Sequence, residues 1–443
     1  MTTVTVVGLG KIGLPLALQF AGAGAQVIGA DTNPEVVDQV NAGREPFPGE
    51  YDLQRRLTEA VGEGTLRATT DTTAAVAESD VVVVVVPLYV DAGGAADFGW
   101  IDSATEAVGR GLKAGTLVAY ETTLPIGTTR NRFGAILARE SGLEPEGDFS
   151  LAFSPERVFT GRVFADLRRY PKLVGGVGPN STAAATAFYA EMLEFDPRDD
   201  LPRPNGVWDL GSAEAAEFAK LAETTYRDVN IGLANQFARH ADSIGVDVRA
   251  VIEACNSQPF SHIHRPGVAV GGHCIPVYPM MYLSGDPSAT VVRAAREANL
   301  AMPAYAVDRL SSLVGDLKGR AVCILGISYR GGVRETAYSG AFALRDELRS
   351  RGARVYAHDP MYSDEDILKL DFEPLGLAEH VYASIIQADH SEYRSLSRDT
   401  RSRLGRIFDG RGIGIETDFV LGKGRIMRSE REEESQNGTN QKY

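Results

Sequence analysis

The sequence predicts an α/β protein with two doubly wound domains joined by a long central helix, and three observations carry that prediction. At the N-terminus a short β-branched run, 3–7, meets a glycine-rich turn and then a helical stretch. Residues 212–244 are rich in Ala, Glu, Leu and Arg, with no Gly until Gly232, and read as one long helix. From Arg320 the strand, turn and helix alternation begins again. Strands that alternate with helices form parallel sheets, because each crossover returns the chain to the same edge.

In order, 3–7 (Thr-Val-Thr-Val-Val) is a strand, Gly8-Leu-Gly-Lys-Ile-Gly13 a turn, 14–23 a helix, and 27–31 a second strand ending in Asp31. The unbroken Val run 81–86, stopped by Pro87, reads as a strand buried on both faces, as a parallel sheet requires. Strand 117–120 leads into Glu-Thr-Thr-Leu-Pro125, and 151–153 into Ser-Pro-Glu156. Polar loops at strand ends are where doubly wound domains hold ligands. A second helical stretch, 289–314, follows the long helix, and the two predict a subunit interface and a homodimer or higher homo-oligomer. In the last domain 321–325 is a strand, 341–351 a helix and 354–359 a strand. The expected domains are 1–205, 206–315 and 316–424, with a polar, apolar-poor tail, 425–443, expected to be disordered.

At 443 residues the chain exceeds one core. With 45 Lys plus Arg against 59 Asp plus Glu, its formal charge of −14 disfavours nucleic acid and anionic membrane as partners. No run approaches about 18 apolar residues, the length of a membrane span, and the chain enters a strand at once, so a cytoplasmic protein is expected. Cys255, Cys274 and Cys323 are odd in number and scattered, and the histidines show no ligand spacing, so neither a disulfide framework nor a metal site is expected.

Gly8, Gly10 and Gly13 form a G-x-G-x-x-G fingerprint between strand and helix, with Asp31 eighteen residues further on. Glycines there let backbone approach a pyrophosphate at a helix start, and the acid accepts hydrogen bonds from a ribose. Asp31 favours NAD over NADP, since a 2′-phosphate would meet a carboxylate. Both α/β domains are thus Rossmann-like. Cys274, in Gly271-Gly-His-Cys-Ile-Pro276, suggests a second chemistry: a nucleophilic sulfur turns an aldehyde into a thiohemiacetal, then a thioester that water releases as an acid. A lone cysteine is more often a buried structural thiol. Lys220, Thr224 and Arg227 share a helix face by spacing, which equally suits a solvated stripe beside Glu217 and Glu223. The glycine-rich loop 267–272 suggests a place where a substrate's sugar or phosphate approaches backbone.

Gly8-Leu-Gly-Lys-Ile-Gly-Leu-Pro15, Ser154-Pro-Glu-Arg157, the helix segment 216–230, Gly271-Gly-His-Cys-Ile-Pro276 and Leu325-Gly-Ile-Ser-Tyr-Arg330 together resemble the UDP-glucose/GDP-mannose dehydrogenase family. The Gly-Gly-His-Cys-Ile-Pro form is most similar to its UDP-N-acetylhexosamine 6-dehydrogenases, of the mannosamine or glucosamine type. The resemblance implies an NAD-binding domain, a dimerising helical centre, a UDP-binding domain, and oxidation of a sugar C6 hydroxyl to a carboxylate with two NAD, in polysaccharide biosynthesis. It further implies Cys274 as nucleophile, Lys220 as the cation at the oxyanion, Thr123 near nicotinamide and water, and Glu156 as acid/base. Gly8, Gly10, Lys11, Ile12, Gly13, Asp31, Pro87, Thr122 and Thr123 would hold the cofactor. Arg157, Val158, Thr224, Arg227, Val268, Gly271, Gly272, Tyr329, Arg330 and Arg411 would hold substrate, Arg411 as the arginine that reaches a neighbouring subunit's site.

Four positions depart from that pattern. Tyr278 stands where the family usually places an aspartate, four residues after the nucleophile, and a tyrosine of ordinary pKa about 10 is a poor base. Thr224 replaces an asparagine, Ala337 an arginine and Lys11 a tyrosine. Two alternatives therefore stand beside a four-electron dehydrogenase: a two-electron or transient C6 oxidation, of aldehyde, epimerase or dehydratase type, and a non-catalytic nucleotide-sugar or NAD sensor.

Overall fold

A computed structural model describes residues 1–91, 94–159, 161–376 and 379–424. The tail 425–443, expected to be disordered, lies outside the described residues. The chain divides into two compact units, Met1–Glu223 with Met280–Asp286, and Thr224–Pro279 with Pro287–Tyr443.

The first unit is built on an eight-stranded sheet in the order Val207–Asp209, Lys172–Gly176, Ser150–Phe153, Leu117–Tyr120, Val81–Val84, Thr3–Val7, Gln26–Ala30, Leu66–Thr69. Thr3–Val7 lies centrally, paired in parallel with Gln26–Ala30 and Val81–Val84. Every residue of Val81–Val84 is buried, as the all-valine run demands. Helix Gly13–Gly22 buries Leu14, Leu16, Leu18 and Phe20 in the same core as Val4, Val6 and Val83.

Two strands depart from the expected parallel sheet, since Val207–Asp209 pairs in parallel with the reversed strand Lys172–Gly176. Lys172–Gly176 runs antiparallel to Ser150–Phe153, with Phe153 opposite Gly175. The reversal matters for position. In a parallel strand the first residue lies at the far rim of the sheet, whereas here Lys172 starts at the rim where the other strands deliver their carboxyl ends.

The second unit packs helices against a six-stranded, all-parallel sheet in the order Glu373–Pro374, Arg354–His358, Ala321–Leu325, Ala383–Ile386, Arg406–Asp409, Phe419–Val420. Ala234, Ala238 and Ala241 of the long helix Ala213–Ile244 share a core with Met302, Val307, Leu310, Val322 and Ile324. The expected single stretch 289–314 is two helices, Thr290–Leu300 and Met302–Val314. Pro303 lacks an N–H to bond back into the first helix, but at the second position of a new one that donor is not needed. Between the helices, buried Asp228 accepts from Arg296 at 2.5 Å and from Asn299 Nδ2 at 2.8 Å.

The two sheets repeat one device. Gly8, at φ +93°, donates its N–H to the Ala30 carbonyl at 2.8 Å, and Gly326, at φ +99°, donates to the His358 carbonyl at 2.8 Å. The acid after each second strand closes the turn: Asp31 accepts from the Leu9 amide, and Asp359 from the Ile327 and Ser328 amides, all at 2.8 Å. Asp359 also accepts from the Met361 amide and from His390 Nε2 at 3.2 Å. Burial alone would raise its carboxyl, but His390 and the amides prevail and hold it at about 2, against 3.8. A depressed folded value stabilises the fold above about pH 4 and loses that contribution as pH falls through about 2. Asp359→Asn should therefore lose about 2 kcal/mol at pH 7, and the difference from the parent in urea unfolding should shrink progressively below pH 4. A pH-independent difference would refute this account.

Candidate active site

The fingerprint turn is shaped for a phosphate-bearing ligand. A Cβ on Gly13 would lie 1.8 Å from the Gly8 carbonyl oxygen, and one on Gly8 would lie 3.2 Å from the Val85 carbonyl oxygen. These two glycines allow strand and helix to pack. Gly10 differs, because a Cβ there meets nothing within 4 Å, leaving backbone open to a ligand. Asp31 keeps both carboxylate oxygens oriented by the Leu9 and Asn33 amides, with lone pairs left for a ribose. Lys11 is exposed beside the turn, Ile12 packs against the core, and Pro87 lies exposed after the central valine strand. The residues present fit NAD.

At the ends of the next strands, Thr122 donates its hydroxyl to the Val86 carbonyl at 2.6 Å, and Thr123 is buried. The loop that follows is fixed by Glu217 of the long helix, whose carboxylate accepts from the Gly127 amide at 2.5 Å, the Thr129 amide at 2.8 Å and the Thr129 hydroxyl at 2.7 Å. One turn on, Lys220 donates its ammonium to the Glu156 carbonyl at 2.7 Å. The long helix thus gathers the two loops that carry Thr123 and Glu156. Glu156 accepts from the Arg157 amide at 2.7 Å and from Lys172 at 2.9 Å. Burial would raise its carboxyl, yet Lys172 and that amide bring it below the usual glutamate range.

The other expected substrate residues of this unit, Arg157 and Val158, have partners within the protein. The Arg157 guanidinium donates to the Pro171 carbonyl and lies 3.4 Å from Glu223. Val158 packs against the hydrophobic core.

In the second unit Cys274 is exposed, whereas Cys323 is buried and its thiol pushed up by burial. The Cys274 carbonyl accepts from the Val277 and Tyr278 amides, so the residue sits at the start of helix Tyr278–Gly285. All three glycines of the loop before it are backed by protein: a Cβ on Gly267 would meet Arg411 at 2.8 Å, and one on Gly271 or Gly272 the Tyr329 side chain at 2.7 or 3.1 Å. Packing by itself requires glycine at these positions. Gly272, at φ +92°, donates to the Ala337 carbonyl at 2.8 Å, and Gly267 to Asn235 at 2.9 Å. Val268 is fully buried in the core, leaving only its backbone for a ligand.

Arg411 donates to the Gln387 carbonyl at 2.5 Å and the Tyr329 carbonyl at 3.2 Å, so its guanidinium is tied within its own chain. Arg330, exposed, reaches the Tyr329 hydroxyl at 3.2 Å. Arg334, three residues before Ala337, pairs with Asp366 at 2.9 Å. On the long helix Thr224 is buried, and Arg227 lies close enough to His264 to add to the burial that lowers that imidazole's pKa.

Sequence reasoning missed Glu121, Lys172, Tyr189 and Glu217 as supports. A lysine opening a strand as buried as Lys172–Gly176 was the available signal, since an ammonium is buried only with partners. Among the described residues no group of His, Cys, Asp and Glu could hold a metal ion, and no helix is long and apolar enough to cross a membrane.

Fold and site together define an NAD-dependent oxidoreductase. The NAD binding domain of the UDP-glucose/GDP-mannose dehydrogenase family matches residues 2–193, its central domain 214–300 and its UDP binding domain 323–414. The chain is 33% identical over 419 residues to a UDP-N-acetyl-D-mannosamine dehydrogenase of Pyrococcus horikoshii, covering 93% of this chain and 95% of that one. It is 33% identical over 426 residues to an NDP-N-acetyl-D-galactosaminuronic acid dehydrogenase of Ralstonia solanacearum, covering 93% and 96%. A solved structure of UDP-D-ManNAc dehydrogenase from Pyrococcus horikoshii superposes with a TM-score of 0.85 at 31% identity, covering 96% of this chain and all of that one. The chain belongs to the UDP-glucose/GDP-mannose dehydrogenase family.

Proposed function

We propose that this protein oxidises the C6 hydroxyl of a UDP-N-acetylhexosamine to a carboxylate through a thioester on Cys274. The observation that carries this reading is the exposed Cys274 thiol, held on a loop braced by Tyr329, Ala337 and Asn235. The N-acetylhexosamine class is supported by the names of both relatives. NAD, when bound, would supply the hydride acceptor, a separate NAD for each of the two hydrides that leave C6. Lys220 supplies the positive charge for the alkoxide and for the thiohemiacetal oxyanion. The Cys274 sulfur adds to the aldehyde carbon. Once the second hydride has left, Glu156 receives a proton from water as the water oxygen adds to the thioester and the carbon–sulfur bond breaks. Tyr329 and Arg330 serve the nucleotide end, where a diphosphate calls for a guanidinium. Exposed Tyr226, Leu233 and Phe237 along the long helix support a homodimer or higher homo-oligomer.

Incubation with NAD and a panel of UDP-sugars should yield two NADH per sugar and a product about fourteen mass units heavier, as two successive hydride losses to an acid require. No NADH with any UDP-hexose or UDP-hexosamine would reject the reading. Tyr278 supports a second reading, in which oxidation stops at the aldehyde and the product is about two mass units lighter, one hydride having left. Under slow hydrolysis, Tyr278→Asp should speed acid release, and an unchanged hydrolytic step assigns Tyr278 another role.

A further inference from the structure

Behind the Ser154-Pro-Glu156 turn, four side chains from separate elements meet out of water. Lys172 donates to Glu121 Oε2 at 2.7 Å and to Glu156 Oε2 at 2.9 Å, and its side chain is 4% exposed. Tyr189, from helix Pro179–Met192, donates its hydroxyl to Glu121 Oε1 at 2.6 Å, and its ring centroid lies 4.8 Å from the Lys172 ammonium. Glu121 is fully enclosed. Two further cations lie near the cluster: Lys220 donates to the Glu156 carbonyl, and the Arg157 guanidinium donates to the Pro171 carbonyl and to Glu223.

One ammonium therefore faces two carboxylates. A buried cluster with an excess negative charge favours uptake of one proton, because low dielectric penalises net charge. The partners decide which carboxylate takes it. Glu156 has Lys172 and the Arg157 amide, and is held below the usual glutamate range against burial. Glu121 shares Lys172, adds only a neutral phenol, and burial pushes it up to about 7.

We propose that Lys172 is a positioning residue that keeps Glu156 ionised and aimed, and that Glu121 is the proton store of the pair. A proton that Glu156 receives passes on when Lys172 gives one N–H proton to Glu121 and takes one from Glu156, so the ammonium is regenerated and one proton has moved. The inference rests on the proposed reading, in which Glu156 handles protons during hydrolysis.

Its test begins without substrate. Infrared titration of the parent should reveal two buried carboxylic acids that ionise near pH 7, Glu121 and Glu217; Glu121→Gln, which keeps the shape and one acceptor oxygen, should remove one band, and Glu217→Gln the other. In turnover, Lys172→Met should raise the acidic limb of the kcat profile by about one pH unit or more, with KM for NAD and nucleotide sugar within about twofold. Lys172→Arg should restore the limb, and Glu121→Gln should leave it in place, because Glu121 already holds its proton at the pH where Glu156 titrates. A near-neutral carboxyl signal that Glu121→Gln leaves unchanged overturns the proposal, as does an acidic limb that Lys172→Met leaves unmoved. Because Glu121→Gln is isosteric, the test survives a Lys172→Met that fails to fold. If the infrared result holds while no UDP-sugar yields NADH, the functional reading fails and the proton store stands.

Discussion

Cys274→Ala is expected to cut uronate formation by about a thousandfold or more, since removing a nucleophile that acts as one unit with its partners costs most of the rate. The first hydride transfer does not use the sulfur, so rapid-mixing experiments should still detect NADH formed with the aldehyde. Stability should barely change, within about 0.5 kcal/mol, because the thiol is exposed and packs in no core. NAD affinity should match the parent, since the fingerprint and Asp31 are untouched. The check is mass analysis of product beside calorimetric titration of NAD. Acid formed at the parental rate would remove the thioester from the mechanism.

Two glycines of one motif are expected to respond in opposite ways. Alanine at Gly13 would place its Cβ 1.8 Å from the Gly8 carbonyl oxygen and 3.0 Å from the Gly8 carbonyl carbon. Neither atom can yield without moving the turn that Gly8 makes at φ +93°. Gly13→Ala should lose about 3 kcal/mol of stability through overpacking, and NAD binding should weaken roughly a hundredfold, about 2.7 kcal/mol. Gly10→Ala adds a methyl to open space, so its thermal midpoint should match the parent. It should nonetheless weaken NAD about tenfold or more, because the methyl occupies the approach of the pyrophosphate to backbone. Parental NAD affinity in Gly10→Ala would show that the pyrophosphate does not cross this turn.

Much of the fold was legible because its signals are local. Strand Thr3–Val7, its glycine turn and the acid that closes it lie within a few dozen residues, and each element is set by its own side chains. The long helix was readable from composition and ends at Ile244 as expected. The break between Thr290–Leu300 and Met302–Val314 was also written in the chain, at Pro303, and a proline inside a periodic apolar pattern should be read as a possible new start. The antiparallel turn of Lys172–Gly176 had no such mark, because strand direction depends on where the chain re-enters the sheet.

Motifs pointed to Cys274, Lys220 and Glu156 as the residues of the proposed chemistry but said nothing of what holds them in place. Glu121, Lys172 and Tyr189 come from different stretches, and their meeting depends on strand order and on one reversed strand. What the glycines before Cys274 pack against was hidden for the same reason. Their counterparts, Tyr329 and Arg411, lie far along the chain on the ends of other strands.

The sequence by itself determined that this chain carries a dinucleotide turn, an acid suited to NAD and a thiol in a glycine setting, because backbone conformation and functional-group chemistry belong to residues and their near neighbours. Only the tertiary structure decided that the thiol is exposed and that its glycines pack against Tyr329 and Arg411. It likewise decided that Lys172 sits between two buried carboxylates. Burial and charge pairing join residues distant in the chain, and they exist only once the sheets have set which strand ends lie side by side.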